Sequence, residues 1–133
     1  MASFQPAVFN RSLQAAVDLS AKQFFFVGEN GSNKYNVIGN DLVGALGQGF
    51  LMNQPLADEF CEVATVGGGA KAKAAGTISA KDELIAKADG TVIVAPAGSA
   101  DDLIAIIGIA LEDAVSGDIF AVQPVLYEKR THA

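Results

Sequence analysis

Leu84-Ile85-Ala86-Lys87-Ala88-Asp89-Gly90-Thr91-Val92-Ile93-Val94-Ala95 places an Asp-Gly dipeptide between two short apolar runs. A two-residue turn with positive φ matches the twist of the strands it joins, so this pattern is a strong hairpin signal. A similar unit follows downstream. Leu103-Ile104-Ala105-Ile106-Ile107-Gly108-Ile109-Ala110-Leu111 leads through Ser116-Gly117 into Ile119-Phe120-Ala121-Val122. The first of these runs is uniformly apolar, and Asp101-Asp102 before it suits a helix cap. Its four isoleucines and central Gly108 favour a strand buried on both faces, because β-branching and glycine both lower helix propensity. Pro124 removes a ladder donor, so the last strand, over residues 119–127, is predicted to lie at an edge or to bulge there.

Upstream, residues 22–27 read as a strand from their aromatic and β-branched content. Residues 28–33 form a turn cluster, and Tyr35-Asn36-Val37-Ile38 resumes the sheet. Residues 12–19 fit a short strand at least as well as one or two helical turns. Glycines at 39, 44, 47 and 49 mark bends or close backbone approach. Residues 60–66 are a further strand, followed by Gly67-Gly68-Gly69 and then Lys71-Ala72-Lys73-Ala74. That alternation puts two lysines on one exposed face, where they discourage pairing between sheet edges. Several short strands at this spacing predict an all-β domain, a small β-barrel or a β-sandwich with at most one short helix.

At 133 residues the chain fits one domain. Half of its residues are apolar and 18% are charged, the composition of a globular protein. The net charge of −6 argues against binding to nucleic acid, which needs a basic face. The N-terminus lacks a secretory pattern, and the longest apolar run is far shorter than the ~20 residues a bilayer demands. A soluble protein made in a reducing compartment is therefore expected, with no membrane partner.

Residues 1–11 form a separate piece ahead of a β domain over 12–133. Phe4, Pro6, Val8 and Phe9 sit among polar residues in a pattern that permits an extended N-terminal arm with a greasy edge. A frayed terminus is the plainer alternative. As an arm, Phe4, Pro6, Val8 and Phe9 supply apolar contacts to a partner and Arg11 a polar one.

The chain offers no believable catalytic, cofactor or metal constellation. Gly67-Gly68-Gly69-Ala70-Lys71 lacks the spacing and the following helix of a phosphate loop. Gly44, Gly47 and Gly49 have the wrong spacing order for a dinucleotide fingerprint. The pairs Asp58-Glu59, Asp82-Glu83, Asp101-Asp102 and Glu112-Asp113 each flank a turn, and neighbours on a strand point to opposite faces. Their carboxylates are expected to be solvated or to accept nearby backbone N–H groups. Cys61 is alone, and a buried small hydrophobe is the reading preferred over a reactive thiol. His132, the only histidine, stands at the C-terminal tail. No enzyme and no cofactor are expected.

Three stretches together resemble the small head-decoration (capsid cement) proteins of tailed bacteriophages. They are Asp18-Leu19-Ser20-Ala21-Lys22-Gln23-Phe24-Phe25-Phe26-Val27, then Gly49-Phe50-Leu51-Met52-Asn53-Gln54-Pro55 with Asp58-Glu59 and Glu62-Val63-Ala64, then Gly76-Thr77-Ile78-Ser79-Ala80-Lys81-Asp82-Glu83-Leu84 with Ala88-Asp89-Gly90. The third closes through Ile107-Gly108-Ile109-Ala110-Leu111-Glu112-Asp113-Ala114 and Gly117-Asp118-Ile119. Where that family usually has a glycine before the Asp of the third stretch, this chain has Lys81. The resemblance implies a virion structural protein on the capsid exterior, often a homotrimer, that binds the major capsid protein and stabilises the shell. Other readings are a tail or head-completion protein, or a small glycan-binding barrel. Two tyrosines and no tryptophan count against the last.

Overall fold

The computed structural model describes residues 8–9, 13–30, 33–39, 49–96 and 103–130. Among them there is no helix. The strands are β1 (Val8–Phe9), β2 (Gln14–Ala15), β3 (Phe26–Asn30), β4 (Asn33–Gly39), β5 (Gly49–Leu51), β6 (Val63–Thr65), β7 (Ala70–Lys73), β8 (Glu83–Ala86), β9 (Val92–Val94), β10 (Leu103–Ala110) and β11 (Ile119–Arg130). They form two sheets, ordered β1-β6-β5-β3-β4-β2 and β7-β11-β10-β8-β9. All pairings are antiparallel except β2 with β4. The all-β class read from the sequence is what the chain adopts.

In β3, β5 and β6 of the first sheet, successive apolar residues divide between two cores. Phe26, Phe50 and Ala64 point into a core shared with Ala72, Leu84, Ala86, Val92, Ile107, Phe120 and Val122 of the second sheet. Their neighbours Val27, Leu51 and Val63 point the other way, into a smaller core closed by Leu13, Ala15, Leu19 and Cys61. Side chains one apart on a strand face opposite sides, so each of these dipeptides serves both layers.

The outer strands of the second sheet touch at one point. Ala74 forms a parallel bridge with Val92, and the Ala75 N–H donates to the Val92 carbonyl at 2.9 Å. The alanines at 70, 72 and 74 keep this curled edge thin. Phe25 adds a clasp: the ammonium of Lys22 lies 4.8 Å and that of Lys73 5.7 Å from its ring centroid. One lysine belongs to the turn before β3 and the other to β7.

Several local readings are refined. The Asp89-Gly90 hairpin exists, with Leu84 opposite Val94 and Ala86 opposite Val92. Its loop is longer than two residues, because the Lys87 N–H donates to the Thr91 carbonyl and the Gly90 N–H to the Lys87 carbonyl. Gly90, at φ 91°, takes the left-handed position of a three-residue loop. Residues 22–25 are turns rather than strand. Phe24 sits at φ 70° with its N–H on the Leu51 carbonyl, and the ladder starts only at Phe26. The presumed turn at 28–33 is mostly ladder, with a register irregularity at Glu29 and Asn30. Residues 60–66 contribute only the short β6, and residues 12–19 only β2.

β10 is the buried strand expected, paired with β8 on one side and β11 on the other. Pro124 sits at a bulge: Ile106–Tyr127 and Gly108–Pro124 are two residues apart on β10 but three apart on β11. The β7 ladder has already ended at Val122, so the missing donor opposes no strand there. Asp101-Asp102, residues 40–48 and His132 lie outside the described residues.

Candidate interaction surface

Most of the described carboxylates flanking turns accept backbone N–H groups. Asp82 accepts the Ser79 N–H at 2.9 Å and Asp113 the Ala80 N–H at 2.8 Å. Asp118 accepts the Val115 N–H, Glu112 the Ala121 N–H and Glu59 the Leu56 N–H. The Asp82, Asp118 and Glu59 bonds close turns, the Glu112 bond spans the β10–β11 connection, and the Asp113 bond ties that connection to the segment before β8. Among the described residues no three His, Cys, Asp or Glu side chains are grouped to hold a metal ion.

Glu83 links two strands through its carboxylate. It accepts the Tyr127 hydroxyl at 2.5 Å and the Lys129 ammonium at 2.5 Å, reaching from β8 across β10 to β11. The Lys129 bond, followed by that from Tyr127, lowers its pKa. Burial first, then the carboxylate beside it, pushes Tyr127 up to about 12. A neutral phenol and an ionised carboxylate on an open sheet face form a surface brace. Cys61 is buried in the smaller core, and that burial pushes its thiol up to about 11. A thiol so placed is no nucleophile near neutral pH.

Of the arm residues, Val8 and Phe9 form β1, the outermost strand of the first sheet, with Val8 opposite Thr65 and Phe9 opposite Ala64. Phe4, Pro6 and Arg11 lie outside the described residues. Beside this edge runs a recess of about 290 Å³ between the sheets, lined by Phe50, Thr65, Val66, Ile107, Pro124 and Leu126.

A second surface was not legible in the sequence. Residues 13–19 pair with residues 55–61 through backbone bonds: Cys61 N–H to Leu13 carbonyl (3.0 Å), Ala15 N–H to Glu59 carbonyl (2.9 Å), Asp58 N–H to Ala15 carbonyl (2.8 Å) and Leu19 N–H to Pro55 carbonyl (3.0 Å). Leu13, Ala15, Leu19 and Cys61 turn inward. Val17, Leu56 and Phe60 turn out, Phe60 being 66% exposed. The sequence puts Phe60 in a strand over residues 60–66 without saying which way it faces. Only the pairing partner shows which way it faces.

No protein-family model matches the chain, and no curated protein matches it in sequence. Its fold is similar to that of the head fiber gp8.5 N base in bacteriophage phi29, with a TM-score of 0.62 and 12% identity. The alignment covers 85% of this chain and 90% of that one. At that identity the likeness establishes the fold. It spans both sheets rather than a shared hairpin.

Proposed function

We propose that this chain is a structural protein of a bacteriophage head, which binds the outside of the shell as a decoration protein and stabilises it, acting as a trimer. The observation that carries the reading is the near full-length fold match to a head fiber base. The sequence resemblance to head-decoration proteins supports it from a separate direction. Carboxylates spent on backbone N–H groups, with an inert buried thiol, suit a protein that works by binding and catalyses nothing. An acidic chain with net charge −6 stays dispersed until it docks.

The major capsid protein is the partner in this reading, and the arm at residues 1–11 is one contact. An extended segment that joins a sheet edge gains affinity from main-chain hydrogen bonds and register from alternating side chains. Several subunits of one oligomer docking together convert modest contacts into tight attachment. The fold match also favours a second reading, the base of a head-attached fibre.

Co-sedimentation of the purified protein with expanded and unexpanded heads tests the proposal. Saturable binding to heads, visible by electron microscopy as density spread over the shell, is the expected result. Density confined to sparse projections selects the fibre base. Absence of binding to either head form removes both.

A further inference from the structure

We infer that the ladder formed by residues 13–19 and 55–61 is a docking face, and that its occupant is a protein surface with an apolar recess rimmed by Lys and Arg. Resting on the head-binding reading above, this makes it the face turned towards the shell.

Three observations converge on it. Phe60 is the most exposed large apolar side chain among the described residues, and Leu56 (52%) and Val17 (48%) accompany it on the same ladder. The backbone beneath Phe60 is pinned. The Asn53 side-chain amide donates to the Phe60 carbonyl and accepts the Glu62 N–H, both at 3.0 Å, while the Cys61 N–H donates to Leu13. An aromatic ring held out on fixed backbone forfeits little conformational entropy on binding, which is the property of an interface anchor. The turn before it is tight: Asp58 stands at φ 70°, in the left-handed region that Asp adopts more readily than most side chains.

Charge selects the occupant. Asp18, Asp58 and Glu59 are exposed on this ladder and Glu62 just beyond its end, and residues 13–21 and 51–62 contain no Lys, Arg or His. The hydrogen bonds from Ser20 lower the pKa of Asp18, so it stays ionised. A second copy of this face, a nucleic acid or an anionic bilayer would be repelled. An apolar recess bordered by cations would be attracted and correctly oriented.

The test uses heads lacking the protein and the full chain in four forms: wild type, F60S, the double variant D58N/E62Q, and L111S as an exposed apolar change on the other sheet. Asparagine tolerates the left-handed region, so D58N removes charge without new strain. Expected are wild-type binding, binding weakened at least about tenfold by F60S, and weaker binding by D58N/E62Q with a flatter salt dependence between about 50 and 500 mM. L111S binds as wild type. If F60S misfolds, as thermal unfolding would report, D58N/E62Q carries the test because it leaves every apolar side chain in place. Wild-type affinity in both F60S and D58N/E62Q overturns the inference and leaves head binding intact. Equal weakening by L111S overturns it too. Failure of the wild type to bind removes the head-binding reading, and this inference with it.

Discussion

The ring of Phe50 meets that of Phe26 edge to face, with centroids 5.4 Å apart and planes at 70°. Both belong to the first sheet, yet a Cβ placed on Gly108 of β10 would stand 3.6 Å from the tip of Phe50. Phe50 therefore joins the two sheets. It is fully buried. Phe50→Ala is expected to destabilise the protein by about 3–5 kcal/mol, from lost burial plus a cavity that a sheet pair cannot close. Urea unfolding of the variant checks this, and a loss below about 1 kcal/mol would show that the sheets do not depend on the ring.

Gly49 opens β5 at φ 146°, and a Cβ there would lie 2.3 Å from the Ala64 carbonyl oxygen. That oxygen is sheet backbone and has no room to retreat. Gly49→Ala should force β5 and β6 apart, at a cost of several kcal/mol, with reduced soluble yield as the visible sign. Gly28→Ala is the control, because a Cβ at Gly28 meets nothing within 4 Å.

Lys81 holds φ 76°. Its N–H donates to the Ala110 carbonyl at 2.7 Å, which fixes the residue in that conformation. The head-decoration proteins that this stretch resembles usually have glycine here, and the positive φ accounts for that preference. Lys81→Gly relieves roughly 1–2 kcal/mol of left-handed strain and gives back about 0.5–1 kcal/mol in unfolded-chain entropy. A small net gain follows, on the order of 2–4 °C in melting temperature for a domain of this size. Calorimetry showing a lower melting temperature would contradict it.

Alkaline pH should weaken the fold through Cys61. Its pKa rises from 9.0 to about 11 on burial, so the unfolded chain releases the thiol proton first. The stabilisation is complete below pH 9 and drains away as pH climbs from 9 to about 11. Tyr127, pushed up to about 12, adds a similar loss between 10 and 12. Unfolding free energies measured at pH 7.5, 9 and 10 should fall in the wild type, with a shallower decline in Cys61→Ala. Equal slopes would show that the thiol is not responsible. Native protein should also resist thiol reagents at pH 8.

The second sheet could be read from the chain because its signals are local. Four isoleucines in one run, a turn pair with Asp-Gly, and a proline where a neighbour strand has ended each report on their own position. The smaller core could not. Leu13, Ala15 and Leu19 become core residues only because residues 55–61 pair beside them, some forty positions away. For the same reason the outward direction of Phe60, beside the buried Cys61, was not legible in the sequence. Phe24 and Phe25 have the composition of a strand, but the positive φ at Phe24 turns the chain and leaves Phe25 beneath two lysines. Composition reports what a side chain prefers. Direction is settled by partners far along the chain.

The division of Phe26-Val27, Phe50-Leu51 and Val63-Ala64 between two cores has a mechanical corollary. Sliding one of these strands by a single position would carry a bulky ring into the smaller layer and an aliphatic chain into the larger. Shear along the sheet therefore cannot be relaxed in small increments. Either every rung holds, or both interiors must give way together.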